Sequence, residues 1–315
     1  MKRLPEVTAV VVNWNAGGHL VRCVEALLAE RARLDVEVVV VDNASSDGSL
    51  AALARFGDAV RVIQTGENLG FGRGFNRGLA ASQASYVAAL NPDVALQPGA
   101  LEQMAAFLSR DASAGLVGPR LVDTEGRVHA SCGMRPHLVD EVCRKFLLHL
   151  VFPFLKFRRQ RPQRSREVGW VTGACFLARR QALEAAGGMD ASIFMYYEDV
   201  DLCLRSRQAG WKVFYLPDAT GMHIGGESSK QVLQRMLMVS EASYDYFAQR
   251  HFGAAAAALL RALRPVEMGL RMVLWGGLFL VAPGRRQEAR ARLRAYRKIL
   301  ACGVRMRPLS DFPTI

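Results

Sequence analysis

Residues 7–13 read VTAVVVN and residues 36–43 read VEVVVVDN, and these two stretches decide the fold predicted for this chain. Each is a continuous β-branched run rather than an alternating one, which is typical of a parallel strand buried on both faces. Between them, apolar residues recur at helical spacing at Leu20, Val24 and Leu27. A strand, a helix and a second buried strand in succession predict the start of an α/β sheet.

Further strands follow along the chain. VRVIQ (60–64) and SYVAALNPDV (85–94) read as the third and fourth, VGWVTGACFLARR (168–180) as a strand that runs into a helix, and WKVFYLPDA (211–219) as another. From residue 231 onward the pattern is helical. The predicted fold class is therefore an α/β, doubly wound, mostly parallel sheet with flanking helices, followed by amphipathic C-terminal helices.

The composition limits the class of protein. The chain has 315 residues and is 50% hydrophobic, enough for one large domain with appendages or for two modest ones. The nearest cysteines, Cys132 and Cys143, are eleven positions apart, which excludes a local zinc ribbon or CxxC motif and favours a reduced, cytosolic compartment. The apolar run before Asn13 is too short for a signal-peptide core, so we expect a first strand there.

The positive charge is concentrated in two segments. The net charge is +12 and the isoelectric point is near 9.9, and this excess of positive charge favours an anionic partner. Basic residues cluster at 156–166 and 285–298, each after an apolar segment, and this pairing favours an anionic membrane surface over nucleic acid. The apolar run from Met272 is too short to span ~30 Å as a helix. We expect an interfacial helix pair at 254–286, with a buried intramolecular helix as the alternative.

Polar side chains stand where the predicted strands end. Because ligands of such sheets bind beyond the carboxyl ends of the strands, these residues indicate a binding edge. Any one of them alone could be only a turn former or a helix cap. They are Asn13 and Asn15, Asp42, Asn68, and Asn91 with Asp93.

The segment ENLGFGRGFNRGLA (67–80) is rich in glycine but lacks the dinucleotide-binding spacing. Gly70, Gly72 and Gly74 give GxGxG, without a third glycine three positions after a GxG pair. We expect a loop that brings backbone amides close to a phosphate at a helix N-terminus, with added charge from Arg73. The alternative is a flexible loop that contacts no ligand.

Two further segments carry candidate ligands. Asp93, in a turn stiffened by Pro92, can bind Mg²⁺ or Mn²⁺ through oxygen if substrate phosphates supply much of the coordination. His223, in a predicted glycine-lined loop, is a candidate ligand or proton carrier, against the alternative of a structural histidine. Trp170 and Gly173 could form a floor for a sugar or base, or part of a packed core strand.

The stretch FMYYEDVDLCLR (194–205) places three carboxylates on the first turn of a predicted helix. Helix capping and an i,i+4 pair between Asp201 and Arg205 would be ordinary explanations. On a helix, however, Asp199 and Asp201 are about 200° apart, so the two cannot face one substrate. We therefore assign Asp201 to the arginine pair and Asp199 to the site. Glu198 stays ambiguous, because it would take the place of Asp199 if the helix began one residue later than predicted.

In this order, the motifs resemble inverting family 2 glycosyltransferases with a GT-A fold, most closely the bacterial rhamnosyltransferases that use a dTDP-sugar. The resembling motifs cover about residues 5–230 and are VVVNWN, VVDNASSDGS, ENLGFGRGFNRG, LNPDV, WVTGACFLARR, GGMDASIFMYYEDVDLCLR and GMHIGGESS. The resemblance implies a catalytic domain over 1–230, with a basic and apolar insertion at 134–168 near the acceptor side. A helical, membrane-associating region would follow at 231–315.

The resemblance also implies roles for single residues. Asp199 would be the general base, with Glu198 beside it contacting the acceptor, while Asp93 and His223 would hold a divalent cation. Asn91 replaces the first Asp of the common DxD motif, which bears on metal affinity. The remaining candidates would bind the nucleotide-sugar donor: Asn13, Asn15, Asp42, Asn68, Gly70, Arg73, Asn91, Trp170 and Gly173.

The resulting hypothesis is a sugar transferase at the cytoplasmic membrane face. Its expected partners are a nucleotide-sugar donor, a glycan or lipid-linked acceptor and an anionic membrane surface, but no nucleic acid, and its oligomeric state is left open. One rival is a nucleotidyltransferase, which usually needs a lysine-bearing glycine-rich loop near the N-terminus that this sequence lacks. The other is a non-catalytic membrane-surface scaffold with the same fold.

Overall fold

The computed structural model describes residues 7–152, 160–224 and 233–301. The strands in these ranges are β1 (Val7–Asn13), β2 (Val36–Asp42), β3 (Val60–Gln64), β4 (Tyr86–Leu90), β5 (Val94–Leu96), β6 (Ala114–Val122), β7 (Cys132–Gly133), β8 (Arg166–Glu167), β9 (Trp170–Val171), β10 (Cys175–Arg179) and β11 (Lys212–His223). The helices are α1 (Gly18–Ala29), α2 (Phe71–Ala80), α3 (Ala100–Arg110), α4 (Leu138–Lys145), α5 (Leu148–Val151), α6 (Arg180–Ala186), α7 (Glu198–Gln208), α8 (Leu233–Phe252), α9 (Ala254–Ala262), α10 (Arg264–Val281) and α11 (Arg286–Ala301).

Nine of the strands in the described ranges form one large sheet. Along the sheet the order is β3-β2-β1-β4-β10-β6-β11-β5, and β8 pairs with β11 outside this path. The pairs β3–β2, β2–β1, β1–β4 and β6–β11 are parallel, whereas β10 runs antiparallel between β4 and β6. β5 and β8 are antiparallel to β11. The predicted α/β, mostly parallel sheet is confirmed.

Side chains of β1 alternate between two cores. Val7 and Val11 belong to one apolar cluster together with residues of α1 and α3, and Val10 and Val12 belong to another with residues of α2, α6 and α7. Both faces of the strand are therefore covered, which explains its unbroken apolar sequence. Gly78 of α2 lies so close to Val10 that a Cβ atom at this position would collide with the valine side chain.

Three predicted elements differ from the structure. The segment 168–180 is not one strand, because the chain turns at Gly173–Ala174 between β9, in a small second sheet, and β10. The helix α2 begins at Phe71, so Gly72 and Gly74 lie in a helix rather than in a phosphate-binding loop, and Gly74 packs on Val12. β11 extends to His223 because its end pairs with β5, so this histidine ends a strand instead of lying in a loop.

The C-terminal helices pack on the rest of the molecule. Phe247 of α8 lies in the same core cluster as Val10, and α10 and α11 pack as a hairpin through Trp275 and Tyr296. α10 packs one face within the molecule and leaves the other exposed, so both the interfacial helix pair and the buried intramolecular helix stay predictions. The predicted boundary at residue 230 lies outside the described residues, as does part of the basic segment 156–166. No described helix has the length and apolarity needed to cross a membrane.

A buried ion cluster joins α4 to α8 and α10. Glu267 of α10 is fully buried and lies 2.6 Å from both Arg144 Nη1 and Lys145 Nζ, through its Oε1 and Oε2 atoms respectively. Arg271 Nη2 lies 2.9 Å from Glu267 Oε1, and Lys145 Nζ lies 3.9 Å from Oε2 of Glu241 in α8. The insertion is thereby fixed to the C-terminal helices.

Candidate active site

The predicted polar residues meet at one edge of the sheet. Asn13 and Asp42 are register partners at the ends of β1 and β2, and Asn91 follows β4 at the same edge. β10 runs in the opposite direction, so its start is at this edge, where Asn91 N donates to Ala174 O at 2.9 Å. The structure thus brings together residues that are far apart in the chain, as the doubly wound sheet predicts.

Asn13 holds the two loops at the ends of β1 and β2 together. It is fully buried, and its Nδ2 atom lies 2.7 Å from Asp42 Oδ1 and 3.0 Å from both Ser45 Oγ and Ser49 Oγ. Asp42 Oδ2 accepts a hydrogen bond from Ser45 N at 3.1 Å. Asn15 continues this network, because its Oδ1 atom accepts from Ser46 N at 2.8 Å. These contacts give the predicted donor-binding residues a fixed position.

Asn68 and Gly70 shape the entry to α2. Asn68 Oδ1 accepts a hydrogen bond from Gly70 N at 3.0 Å, and Gly70 has a φ of 79°, in the left-handed region that glycine adopts without a steric penalty. A Cβ atom at Gly70 would collide with the backbone oxygen of Phe194, which also accepts from Phe71 N. The entry to α2 is therefore in contact with the segment before α7. Arg73 is exposed on the first turn of α2.

Asp93 and His223 lie side by side, as predicted for a metal pair. Asp93 Oδ1 is 3.4 Å from His223 Nε2, and this nitrogen is buried without a hydrogen-bond partner among the described residues. His129, which the sequence analysis did not single out, places its ring centroid 5.6 Å from that of His223. Burial, followed by the nearby His223, lowers the pKa of His129. No group of three or more His, Cys, Asp or Glu residues in the described ranges forms a metal site.

The start of α7 has an unusual backbone. Tyr196 and Tyr197 have φ angles of 68° and 69°, in the left-handed region, directly before Glu198. Each such residue costs on the order of 1 kcal/mol, and strain of this kind is typical of functional sites. The Tyr197 ring packs on Tyr244 and Phe247 of α8, with centroids 5.4 Å and 5.2 Å away. Packing from the C-terminal region thus supports the strained segment.

Asp199 points toward the turn between β9 and β10. Its Oδ2 atom accepts a hydrogen bond from Gly173 N at 2.8 Å. A Cβ atom at Gly173 would lie 3.3 Å from Asp199 Cβ and 3.2 Å from Phe71 Cε1, so the glycine permits this close approach. The structure therefore joins two predicted site residues that are 26 positions apart.

Glu198, next to Asp199, has a different environment. It is 6% exposed, and its Oε2 atom is buried without a hydrogen-bond partner in the described part of the chain. Burial, followed by repulsion from Asp199 and Asp201, raises the pKa of Glu198 to about 8. The raised pKa favours the neutral acid form of Glu198, which can donate a hydrogen bond.

Asp201 is held away from the site by basic side chains. It is fully buried, with Oδ2 at 2.6 Å from Arg205 Nη2 and Oδ1 at 2.8 Å from His251 Nε2. Burial raises the pKa of Asp201, but the hydrogen bonds from His251 and Arg205 outweigh burial and keep the pKa below its usual value. The predicted Asp201–Arg205 pair is confirmed.

Residues of α8 complete this region, and the sequence analysis missed them. Tyr246 donates its hydroxyl hydrogen to Asp190 Oδ2 at 2.9 Å, Arg250 Nη1 lies 3.0 Å from the same oxygen, and Ser243 Oγ donates to Met195 O at 2.7 Å. The signal that could have found them is the spacing of Tyr246 and Arg250, which are four positions apart and therefore share one helix face. α8 thus fastens the segment that carries the carboxylates.

Trp170, another predicted donor-binding residue, is buried. It is 7% exposed and lies within the core cluster that includes Phe176 and Val171, and its Nε1 atom has no hydrogen-bond partner among the described residues. Its contact with a sugar or base stays a prediction.

Comparison with known proteins gives two kinds of match by sequence. A family model described as glycosyltransferase like family 2 matches residues 5–242. The chain is also 34% identical over 276 residues to the N-acetylglucosaminyl-diphospho-decaprenol L-rhamnosyltransferase of Mycobacterium tuberculosis, a match that covers 81% of this chain and 88% of that relative.

Solved structures share the fold at low sequence identity. The mannosyltransferase PcManGT from Pyrobaculum calidifontis, in complex with GDP-Man and Mn²⁺, has a TM-score of 0.57 at 18% identity and covers 94% of this chain and 87% of its own. GalNAc-T7 with UDP, GalNAc and Mn²⁺ has a TM-score of 0.56 at 16% identity and covers 79% of this chain and 50% of its own. These likenesses show the GT-A fold predicted from the sequence.

Proposed function

The chain belongs to glycosyltransferase family 2, and from this premise we propose that it transfers L-rhamnose from dTDP-L-rhamnose to a hydroxyl group of a lipid-linked acceptor, with inversion. The mycobacterial relative, whose name specifies an L-rhamnosyltransferase and a diphospho-decaprenol carrier, supports this choice of sugar and acceptor. The family supports sugar transfer as the reaction.

The observation that carries the mechanism is the contrast between Asp199 and Glu198. Asp199 is oriented by the Gly173 N–H group at 2.8 Å, whereas Glu198 is buried, lacks a partner for Oε2 and has a raised pKa. Asp199 is therefore the better base, and Glu198 is better suited to contact the acceptor as a neutral hydrogen-bond donor.

The donor would lie along the edge formed by the first, second and fourth strands. Asn13, Asn15 and Asp42 would contact the base and ribose, a role that fits their fixed loop geometry. Asn68, Gly70 and Arg73 would lie on the diphosphate side, and Asn91, Trp170 and Gly173 near the sugar. Arg73 is exposed on the first turn of α2, where a positive side chain and a helix N-terminus both favour an anion.

Asp93 and His223 fit a divalent cation, Mg²⁺ or Mn²⁺. The two donor atoms are 3.4 Å apart, and the buried His223 Nε2 atom lacks a hydrogen-bond partner in the described ranges, which a metal ion would provide. Two protein ligands are few, so diphosphate oxygens would supply the rest of the shell, as Mg²⁺ sites often do. When bound, the ion supplies positive charge that stabilises the leaving diphosphate.

In the proposed reaction, Asp199 takes the proton from the acceptor hydroxyl group as its oxygen attacks the anomeric carbon. The bond from this carbon to the diphosphate oxygen breaks, and dTDP leaves with the electron pair. Arg73 stabilises the negative charge on dTDP. Attack from the face opposite to the leaving group inverts the anomeric centre, and no enzyme nucleophile is needed.

The lipid-linked acceptor places the reaction at a membrane surface. We propose a peripheral location on the cytoplasmic face, for which the basic and apolar C-terminal helices are the supporting observation. The division into a catalytic domain at 1–230 and a helical membrane-associating region at 231–315, with the insertion at 134–168 near the acceptor, is part of the same proposal. Oligomerisation stays open.

The test is incubation of the purified full chain with dTDP-L-rhamnose and N-acetylglucosaminyl-diphospho-polyprenol. We expect rhamnosylated lipid and free dTDP, a loss of activity with EDTA and its return with Mn²⁺ or Mg²⁺. Asp93→Asn should raise the metal concentration needed for half-maximal activity. Asp93→Glu, which keeps a carboxylate, should raise this concentration less. The exposed Asp58→Asn variant is the control.

Two results would contradict the proposal. In a parallel incubation with dTTP and a sugar 1-phosphate, release of inorganic diphosphate with formation of a nucleotide sugar would identify the rival nucleotidyltransferase. Failure to turn over any nucleotide sugar, together with vesicle binding, would identify the non-catalytic scaffold. Activity with another nucleotide sugar, but not with dTDP-L-rhamnose, would leave the transferase and correct the donor.

A further inference from the structure

One face of α10 exposes a stripe of aliphatic side chains, which we call the apolar ridge. Val273, Leu280 and Val281 are 77%, 72% and 78% exposed. At 1.5 Å per residue the stripe is about 22 Å long. The opposite face, with Met268 and Trp275, packs on α11. The apolar ridge comprises Val266, Leu270, Val273, Leu274, Leu280 and Val281.

Beside the end of this ridge lies a groove of about 720 Å³ that we call the arginine groove. Arg286, Arg290 and Arg294 line it from one face of α11, because residues four positions apart lie one above the other on a helix. The ring of Phe279 packs under Arg286 and Arg290, with centroid distances of 5.8 Å and 5.3 Å. Among the described residues, those that line the groove include three arginines and no acid, which gives this part of the surface a positive charge.

The two features are neighbours along the chain at the junction between α10 and α11. Pro283 and Gly284, which line the arginine groove, follow Val281 of the apolar ridge almost directly in the chain. Exposed aliphatic side chains next to guanidinium groups match the boundary of a bilayer, where acyl chains lie beneath anionic phosphates. A second copy of this chain would bring two arginine-rich surfaces together, and a nucleic acid would leave the ridge in water.

We propose that the α10–α11 hairpin docks the enzyme on an anionic bilayer, with the apolar ridge in the acyl boundary and the arginine groove on a lipid phosphate. The inference rests on the proposed membrane location and names the surface and the lipid chemistry that provide it. It does not depend on the identity of the donor sugar. Arginine suits a lipid phosphate better than lysine does, because its guanidinium group can donate two parallel hydrogen bonds to a pair of phosphate oxygens.

The experiment measures binding of the full chain to vesicles of phosphatidylcholine alone and of phosphatidylcholine with phosphatidylglycerol at 3:1. We expect binding only to the second kind. The triple variant Arg286→Gln, Arg290→Gln, Arg294→Gln should bind about 100-fold more weakly, at roughly fivefold for each arginine near an anionic surface. The double variant Leu280→Ser, Val281→Ser should lose about tenfold.

The matched control removes three positive charges elsewhere. Arg33→Gln, Arg61→Gln, Arg110→Gln changes the net charge equally on exposed positions of the α/β sheet region, and its binding should stay within about threefold of wild type, because distant charges are screened. All variants should keep wild-type transfer to a water-soluble acceptor, which separates docking from catalysis. Inactivity of every protein in that assay would contradict the proposed function and leave the docking result standing.

Three outcomes would overturn the proposal. The triple variant could bind anionic vesicles as tightly as its control, wild type could bind both kinds of vesicle equally, or wild type could form a dimer that the ridge variant abolishes in sedimentation velocity. The last outcome would assign the ridge to an interface between copies. If the triple variant does not fold, the ridge variant and the salt dependence of wild-type binding still decide between these results.

Discussion

Glu198 and Glu267 are both buried glutamates, but their surroundings are opposite. Glu267 lies 2.6 Å from both Arg144 and Lys145, and although burial raises its pKa, these cations outweigh burial and lower the pKa to about 2. Burial, followed by repulsion from Asp199 and Asp201, raises the pKa of Glu198 to about 8, and no cation among the described residues opposes it. The comparison teaches that burial alone does not determine the protonation state of a carboxyl group. Partners make Glu267 a structural anion and leave Glu198 a neutral acid at the site.

The largest effect on stability should come from breaking the ion cluster. Glu267→Gln removes the buried carboxylate that pairs with Arg144, Lys145 and Arg271. Because these cations then lack part of their neutralising charge, we expect a loss of about 3–5 kcal/mol in the free energy of unfolding at pH 7. The measurement is urea unfolding. Glu288→Gln, which removes partly exposed pairs with Arg285 and Arg292, should cost less than about 1 kcal/mol. Equal losses would mean that the cluster is not stabilised by its buried pairs.

The two glutamates should also give opposite pH dependence. The raised pKa of Glu198 contributes stability below its unfolded pKa near 4.5, and this contribution is lost as the pH rises toward about 8. The lowered pKa of Glu267 contributes stability above pH 4.5 that is lost as the pH falls toward about 2.

The variant Glu198→Gln tests the pH dependence of stability that we expect from Glu198. The variant should be more stable than wild type by about 3 kcal/mol at pH 7, because it removes the cost of protonating the side chain on folding, and the difference should vanish near pH 4.5. Unfolding curves at both pH values measure it, and the exposed Glu184→Gln variant is the control. A constant difference across this range would show that Glu198 is ionised in the native protein.

A smaller effect is expected where α8 contacts the same helix as Glu198. His251→Gln replaces the contact between His251 Nε2 and Asp201 Oδ1 at 2.8 Å, and we expect a loss of about 1–2 kcal/mol in stability. Because Asp201 lies two positions after Asp199, kcat should fall while KM for the donor changes little. The control is the exposed His137→Gln. An unchanged kcat would restrict His251 to a structural role.

The sequence predicted the sheet and most of its polar edge for a physical reason. Buried parallel strands require continuous apolar runs, and β1 and β2 have them, so the positions of Asn13 and Asp42 follow from the strand ends. The angle of about 200° between Asp199 and Asp201 on a helix predicted that the two side chains point in different directions. The observed ion pair between Asp201 and Arg205 agrees with this prediction.

Other features depend on contacts between distant segments and were not predictable from local pattern. Gly74 appeared to belong to a phosphate loop, but its place in a helix follows from packing on Val12. β11 reaches His223 only because β5 is available as a partner. The raised pKa of Glu198 and the role of His251 require knowledge of which side chains surround the start of α7.

The most direct test of the account compares Asp199→Asn with Glu198→Gln in the same transfer assay at pH 7. Both substitutions remove an ionisable group and keep the shape of the side chain. If Asp199 is the base and Glu198 is a neutral acid, Asp199→Asn should lower kcat by about 10²–10⁴-fold, and Glu198→Gln by less than about tenfold. The reverse order, or full activity of Asp199→Asn, would contradict the assignment.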